Sequence, residues 1–334
     1  MRAYYVKKPM RFESRDVEVG PLAPDEALVE VKACGVCGWD ILVATEVAKD
    51  WSGIGHEFSG VVKEVGSAVR AFQPGDRVVA ENSTYCGICR HCKNGDVIHC
   101  TNLSHYLSPG AFAELVKVKA QSLIKIGDLD FAVAALAEPL TVAIDMVEAA
   151  EIPLAGSVAV FGPGPIGLMT AKVARLVGAG KVYLTGHARS RQRWEIARKI
   201  GVDELVFADQ VNVREYLRTQ EPDGLDRVLV TSPPSTVADA VAIARFGAII
   251  TYNGIKFDRS KDIRFDGNDF HFKRLQLRGV HSIPNLGWPK ALDLLRRKLI
   301  DPDDFISHRF AFDQVPQAVQ FAAKNRTDTV KVMV

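Results

Sequence analysis

Four cysteines that could close a shell around a metal ion lie in one short segment of the chain. Cys86, Cys89, Cys92 and Cys100 form the pattern C-x2-C-x2-C-x7-C, and the residues between them are mostly polar or turn-forming. Four thiolates are the donor set of a closed, structural zinc site. Disulfides are the alternative, but residues 1–9 lack the apolar stretch of a secretory signal, which favours a reducing compartment. The pattern therefore predicts a structural zinc lobe.

A glycine-rich turn supplies a second kind of chemistry. The apolar run S-V-A-V-F at 157–161 leads directly into G-P-G-P-I-G at 162–167, followed by a helical pattern over 168–177. A G-x-G-x-x-G turn between a strand and a helix places a dinucleotide pyrophosphate on the helix N-terminus. The predicted cofactor-binding residues of this turn are Gly162, Gly164, Pro165, Ile166 and Gly167.

The next strand indicates which dinucleotide is bound. NAD sites usually carry an acid at its end for the ribose 2′-hydroxyl, but this chain has Gly186, followed by His187, Arg189 and Arg191. Guanidinium groups bind a 2′-phosphate, whereas a carboxylate would repel it. The segment therefore favours NADP, with NAD as the alternative. The other reading is that these residues are solvated side chains that open the next helix.

Composition and patterning fit a soluble two-domain chain. Its 334 residues have a formal net charge of +2 with both signs interspersed, which argues against a nucleic-acid surface. No apolar run approaches the ~20 residues that span a bilayer. Short strand patterns such as 27–33, 60–65 and 77–80 dominate the first part. After about residue 136, helical patterns alternate with apolar runs, which predicts a parallel α/β sheet. The domain joints are expected near 139 and 280.

Two weaker signals precede the cysteine lobe, C-G-W-D at 37–40 and G-H-E at 55–57. With the lobe and the glycine turn, their order along the whole chain resembles the zinc-dependent medium-chain alcohol and polyol dehydrogenases. Further segments similar to that family are G-H-E-F-S-G-V-V-K-E-V-G at 55–66, F-Q-P-G-D-R-V at 72–78 and G-A-F-A-E at 110–114.

The resemblance implies a fold and an assembly. It implies a β-rich GroES-like catalytic domain over 1–139 that carries the zinc lobe, a Rossmann doubly wound parallel sheet over 140–280, and a segment over 281–334 that returns to the catalytic domain. It also implies two zinc ions per chain and a homodimer or homotetramer. A cytoplasmic location is expected because residues 1–9 show no secretory signal.

The resemblance also implies a second, catalytic zinc. Cys37 and His56 match the ligands, and Glu57 matches a neighbouring acid that binds the metal or exchanges with water. Glu138, in A-L-A-E-P-L, stands where polyol dehydrogenases place a glutamate, which favours the sorbitol and threonine dehydrogenase branch. Its alternative reading is a helix-start acid before Pro139. Asp40 matches the acid that orients the ligand histidine.

The chain departs from the family where a proton relay would begin. Trp39 replaces the usual Ser or Thr after Cys-Gly, and Leu42 replaces the relay histidine. Trp39 is expected to form an apolar wall of the substrate pocket or to stack on the substrate. The expected activity is hydride transfer between NADP, or NAD, and a polyol, sugar or cyclitol hydroxyl or ketone. Two alternatives remain open: a reductase of C=N or C=C bonds that needs no alcohol relay, and a non-catalytic zinc- and nucleotide-binding protein.

Overall fold

The computed structural model describes residues 1–105, 109–284 and 286–334. Contacts divide the chain into two compact units. The first combines Met1–Thr141 with Ser282–Val334, and the second is Val142–His281.

The first unit is rich in short strands. Before the second unit it contains the strands β1 (Arg2–Lys7), β2 (Arg11–Asp16), β3 (Glu26–Gly35), β4 (Ser52–Gly53), β5 (Glu57–Val65), β6 (Arg77–Ala80), β7 (Ser83–Thr84), β8 (Ser104–His105), β9 (Leu115–Lys119) and β10 (Leu123–Lys125). Its helices in this part are α1 (Gly38–Leu42), α2 (Arg90–Lys93), α3 (Phe131–Ala135) and α4 (Ala137–Ala150), the last of which continues into the second unit.

The second unit alternates strands and helices. Its elements are β11 (Ser157–Phe161), α5 (Pro165–Leu176), β12 (Lys181–Gly186), α6 (Arg191–Lys199), β13 (Glu204–Phe207), α7 (Val213–Gln220), β14 (Leu225–Val230), α8 (Val237–Ile243), β15 (Ala244–Tyr252), α9 (Gly267–Phe272) and β16 (Gln276–Gly279). All pairs in its sheet are parallel, in the order β13-β12-β11-β14-β15-β16. This is the doubly wound order that reverses beside β11, where dinucleotides bind at the carboxyl ends of the strands.

The chain then returns to the first unit. The returning elements are α10 (Trp288–Arg296), α11 (Pro302–Phe305), β17 (Ile306–Arg309), α12 (Val315–Lys324) and β18 (Lys331–Met333). The sheet order β10-β6-β5-β3-β18-β17, with β9 also paired to β3, places β18 beside β3. Backbone N–H groups of Cys34 and Val36 donate to the carbonyls of Val334 and Val332, both at 2.8 Å. The last strand thereby fixes the segment that leads into Cys37.

Each unit has its own apolar core, which explains why the elements form where they do. Apolar residues of β3 and β5, including Val29, Phe58 and Val62, are buried with Val319 of α12. The parallel strands instead carry continuous apolar runs, such as Val158–Phe161, because helices cover both faces of a doubly wound sheet.

The predicted α/β fold class is confirmed, with local differences. β6 spans 77–80 as expected, but β5 begins at Glu57 rather than 60, and the helix after the glycine turn begins at Pro165 rather than 168. The hairpin of β1 and β2 was not predicted. Exposed charged residues in β2 break the apolar alternation that reveals a strand. Among the described residues, no helix is long and apolar enough to span a membrane.

Candidate metal and cofactor sites

The four-cysteine lobe has the geometry of a closed tetrahedral site. Cys86 precedes the short helix α2, Cys89 is its N-cap, Cys92 lies within it, and Cys100 follows a 3-10 turn. Neighbouring sulfur atoms lie 3.5–4.0 Å apart. Four Zn–S bonds of about 2.3 Å in a tetrahedron require S···S distances of roughly 3.8 Å, whereas a disulfide needs about 2.05 Å. All six cysteines are free thiols. The residues present therefore fit a zinc ion and not disulfides.

Backbone groups prepare this lobe for a cation. The N–H groups of Cys86 and Cys89 each point at a cysteine sulfur at 3.3 Å. Hydrogen bonds from the backbone of Cys92 and Thr101 lower the pKa of Cys89 to about 6. A thiol with a lowered pKa is present as the thiolate, which is the form that binds metal.

A second group of donors lies where β3, α1 and β5 meet. Donor atoms of Cys37, His56 and Glu57 all lie within 4.8 Å of one another. Cys37 is the N-cap of α1, directly after β3, and Glu57 is the first residue of β5. Three donors of sulfur, nitrogen and oxygen type match a catalytic zinc site, which keeps a position open for substrate.

Asp40 ties the two ligand-bearing segments together. Its Oδ2 accepts a hydrogen bond from the N–H of Cys37 at 2.8 Å, and its Oδ1 accepts one from the N–H of Gly55 at 2.9 Å. Oδ1 also lies 3.6 Å from Nδ1 of His56, and the carboxylate is 1% exposed. This contact leaves Nε2 of His56 as the natural metal donor and fixes the ring orientation.

The electrostatics around these donors favour a cation. Burial disfavours the charged form of His56, but the negative charges of Cys37 and Asp40 outweigh it and raise the pKa of the imidazole well above its usual range. Burial raises the pKa of the Cys37 thiol, with the charge of Glu57 as the next cause. A divalent cation bound here would lower both pKa values, because it favours the thiolate and the neutral imidazole that act as ligands.

Glu57 has a partner that the sequence did not reveal. Lys331, in β18, contacts both carboxylate oxygens of Glu57, and its Nζ also donates to the carbonyl of Val36 at 3.1 Å. The side chains are 3% and 1% exposed. The two residues are 274 positions apart in the chain, so no local pattern signals the contact.

Glu138 lies near this group without joining it. It begins the first turn of α4, and Asn82 donates to its Oε1 at 3.5 Å. Burial raises the pKa of Glu138 to about 7, and the charges of His56 and Glu57 also act on it. Among the described residues, Glu138 is not in the set of donors that lie within 4.8 Å of one another. The sequence-based expectation that it binds the metal therefore remains a prediction.

Trp39 occupies the position of the missing relay hydroxyl. Its backbone N–H donates to Sγ of Cys37 at 3.4 Å, and 41% of the residue is exposed. Leu42 ends the same helix, α1. Trp39 is a large, partly exposed aromatic residue two positions after the metal donor Cys37. Its ring could contact a molecule bound at the metal.

The glycine turn has the shape that a dinucleotide requires. Gly162 has φ = +104°, which only glycine adopts freely, and Gly164 is the N-cap of α5 with Pro165 in its first turn. A Cβ at Gly167 would lie 1.8 Å from the carbonyl oxygen of Gly162, whereas a Cβ at Gly164 would meet nothing within 4 Å. The turn is therefore closely packed behind and open in front, which fits a pyrophosphate against the helix N-terminus. Ile166 occupies the second position of α5.

The end of β12 shows why no acid stands there. A Cβ at Gly186 would lie 2.6 Å from the ring of Pro163, so a larger residue would collide with the glycine turn. His187 and Arg189 are exposed, and Arg191 begins α6. An unexpected carboxylate approaches from the next strand-to-helix loop, because Oδ1 of Asp209 accepts a hydrogen bond from the N–H of Ala188 at 2.9 Å. The Ala188 N–H lowers the pKa of Asp209.

Comparisons with known proteins show the family of this chain. Residues 23–128 match the family described as "Alcohol dehydrogenase GroES-like domain", and residues 165–297 match "Zinc-binding dehydrogenase". The L-threonine 3-dehydrogenase of Deinococcus deserti is 33% identical, with 90% of each chain covered. The sorbitol dehydrogenase of Bacillus subtilis is 27% identical, with 100% of this chain and 97% of the relative covered. A structure from Sinorhizobium meliloti 1021 bound to NADP, provisionally named a zinc-binding dehydrogenase, superimposes with a TM-score of 0.87 at 29% identity, covering 100% of this chain and 98% of the other.

The chain belongs to the zinc-dependent medium-chain dehydrogenase family. Within that family it is an oxidoreductase of the alcohol and polyol dehydrogenase type, as the sequence predicted.

Proposed function

We propose that the protein transfers a hydride between NADP and a hydroxyl or ketone carbon of a polyol, sugar or cyclitol. The observation that carries the proposal is the partly buried group of Cys37, His56 and Glu57, which offers three donors where the cysteine lobe offers four. A three-donor zinc site leaves room for a substrate oxygen. When bound, zinc supplies Lewis acidity at that oxygen and the nicotinamide accepts or gives the hydride.

The residues of this chain would hold the metal and orient its ligands and the substrate. Cys37 and His56 hold the metal, and Asp40 fixes the imidazole through Nδ1. Glu138 is our candidate for proton transfer, since a carboxyl with a pKa of about 7 is suited to exchange a proton near neutral pH. This role would replace the relay that Trp39 and Leu42 interrupt. Trp39 would cover one side of the substrate.

The decisive experiment measures NADP reduction with a panel of polyols, sugars and cyclitols, before and after removal of the metal by a chelator. Activity that disappears with the metal and returns with zinc supports the proposal. Turnover that survives complete loss of both metals would contradict it. Glu138→Gln should abolish the acidic limb of the kcat/KM profile near pH 7, with Asn82→Ala as a control that keeps the Glu138 carboxyl and adds no new titrating group.

The preference for NADP rests on the turn after β12. Gly186 leaves the end of β12 without an acid. Arg189 and Arg191 follow within five residues and could bind a 2′-phosphate through their guanidinium groups. Asp209 opposes this, because its carboxylate lies beside the same turn. Arg189→Ala with Arg191→Ala should weaken NADP by roughly 1.5–3 kcal/mol per lost contact and leave NAD unchanged. Equal affinity of the unaltered protein for both cofactors would count against the proposal.

A second candidate activity is the reduction of C=N or C=C bonds with NADPH. The observation that favours it is the loss of the relay at Trp39 and Leu42, since such substrates bring no alcohol proton to remove. An imine and enone panel tested beside the polyols distinguishes the two. Two zinc ions per chain, a cytoplasmic location and a homodimer or homotetramer remain predictions, which metal analysis, fractionation and light scattering can test.

A further inference from the structure

The turn after β12 already holds an anionic group, which the chain itself supplies. The backbone N–H of Ala188 donates a hydrogen bond to Oδ1 of Asp209 at 2.9 Å. Ala188 lies two residues after Gly186, which ends β12, and Asp209 lies two residues after Phe207, which ends the neighbouring parallel strand β13. A carboxylate therefore lies at the edge of the sheet where Rossmann domains hold the adenosine ribose of a dinucleotide.

Backbone hydrogen bonds fix both sides of this contact. On the side of Asp209, the N–H of Ala208 donates to the carbonyl of Gly186 at 2.8 Å. On the other side, the indole Nε1 of the buried Trp194 donates to the carbonyl of His187 at 3.1 Å. The position of Asp209 is therefore set by the fold of the second unit, although its side chain is exposed.

The charges around Asp209 are those that would attract a phosphate. The N–H of Ala188 is the main cause that lowers the pKa of Asp209, and the charges of His187 and Arg189 lower it further. The carboxylate is thus ionised at neutral pH and interacts with these two side chains. Backbone N–H and guanidinium groups are also the donors that bind a phosphate oxygen. A 2′-phosphate and the Asp209 carboxylate would therefore seek the same partners, and their like charges would repel each other.

We propose that Asp209 is a specificity-determining residue, whose carboxylate competes with the 2′-phosphate of NADP for the N–H of Ala188 and the charge of Arg189. This inference rests on the proposed dinucleotide site and deepens it. NAD carries a hydroxyl in place of the phosphate, so it meets no such competition. Asp209 therefore reduces the advantage that Arg189 and Arg191 give to NADP, and it keeps NAD usable as a second cofactor.

The experiment measures binding rather than turnover. Isothermal titration calorimetry gives the Kd values of NADP, NAD, adenosine 2′,5′-bisphosphate and AMP for the parent and for Asp209→Asn. The asparagine keeps an oxygen that can accept from Ala188 and removes only the charge. It should tighten NADP and the bisphosphate by roughly 5–10-fold and change NAD and AMP by less than about twofold. Asp209→Ala, which also frees the N–H of Ala188, should tighten NADP at least as much.

A matched control removes the same charge elsewhere in the second unit. Asp223 is exposed and precedes β14, so it lies at the amino end of the parallel sheet, opposite the dinucleotide edge. Asp223→Asn should leave all four Kd values within about twofold of the parent. High salt should shrink the difference between the parent and Asp209→Asn, because salt screens exposed charges. A merely structural contact would give a difference that salt does not change.

Three results would overturn the inference. NADP that binds Asp209→Asn no more tightly than the parent would show that the carboxylate does not compete. Weaker binding of NAD to Asp209→Asn would show that the carboxylate instead accepts a hydrogen bond from the ribose hydroxyl. A difference of the same size at low and high salt would show that charge is not its cause.

The double variant Arg189→Ala with Arg191→Ala separates this inference from the proposed function. If that variant loses the preference for NADP while Asp209→Asn behaves like the parent, only the role of Asp209 is wrong. If neither the bisphosphate nor either dinucleotide binds the parent or any variant, the proposed dinucleotide site is wrong and the inference fails with it.

Discussion

The two candidate metal sites of this protein are built in opposite ways. The four-cysteine lobe takes all its donors from residues 86–100, and much of its surface is exposed, including Ile88 at 73% and Ile98 at 52%. The group of Cys37, His56 and Glu57 is assembled from the ends of β3 and β5 and is completed by Lys331 of β18. The lobe is a local structure, whereas the group of Cys37, His56 and Glu57 depends on the fold of the whole first unit.

This difference assigns different tasks to the two sites. A loop with four thiolates and little core of its own needs a metal to hold its shape, because the binding free energy becomes folding free energy. The group of Cys37, His56 and Glu57 is held by the sheet and by the hydrogen bonds of Asp40. A metal bound there can therefore keep one coordination position free. The fold of the cysteine lobe therefore depends on its metal. At the group of Cys37, His56 and Glu57, the chemistry of the metal instead depends on the surrounding fold.

The largest expected effect tests this division through activity. Cys37→Ser and His56→Ala should each lower kcat/KM by about 1000-fold or more, since the metal contributes several kcal/mol to the reaction. Both variants should keep the thermal unfolding of the parent within a few degrees. A matched change in the lobe, Cys86→Ser, should leave kcat per folded molecule near that of the parent. Comparable losses of kcat in all three would remove the distinction between the sites.

The second effect tests the same division through stability. Cys86→Ser should lower the melting temperature by roughly 6–12 °C if about 3 kcal/mol of metal-linked stability is lost. Calorimetry with and without a chelator measures it. The chelator should lower the melting temperature of the parent but barely change that of Cys86→Ser. A lobe that melts at the same temperature without its metal would show that its fold does not depend on zinc.

The third effect sharpens the description of the open site. Trp39→Ser should lower kcat/KM for the true substrate about tenfold, because stacking on an indole is worth roughly 1–2 kcal/mol. Trp39→Phe keeps an aromatic face and should lose less. The comparison is made by steady-state kinetics on the substrate found in the panel. Unchanged kcat/KM in Trp39→Ser would mean that the side chain only fills space.

The fourth effect, which leaves activity unchanged, concerns Glu81, which lies between the two sites along the chain. Burial raises the pKa of Glu81 from the ordinary 4.5 to about 8. A carboxyl with a raised pKa favours folding fully below its unfolded pKa, and this contribution is lost as pH rises through the folded value. Glu81→Gln should therefore match the parent at pH 5 and be roughly 1–3 kcal/mol more stable at pH 9. Urea unfolding at both pH values provides the test, and equal stability at pH 9 would contradict the raised pKa.

What the sequence could predict follows the same contrast between local and distant contacts. The strand at 77–80, the glycine turn and the cysteine lobe are each defined by neighbours in the chain, so patterns of residues reveal them. The fold class and the family were predicted on that basis. The site residues predicted for zinc and NADP await their experiments, although three of them, Cys37, His56 and Glu57, lie together in the structure.

The contacts that escaped prediction are made by residues without a motif. Lys331 is one lysine among many until β18 is paired with β3, and Asp209 reaches the Ala188 turn from a different strand-to-helix loop. Asn82 likewise approaches Glu138 only in the folded first unit. In the sequence, Gly186 shows only that the usual acid is missing. The structure adds a steric reason for the glycine, because a Cβ there would collide with the ring of Pro163.

The position of β18 has a consequence for the order of events during synthesis. The cysteine lobe has all its ligands once residue 100 has left the ribosome, whereas Glu57 has no buried counter-charge until Lys331 emerges, after the entire second unit. A nascent chain can therefore take up its first metal early. Its second site is completed only when the strand that carries Lys331 is added to the sheet.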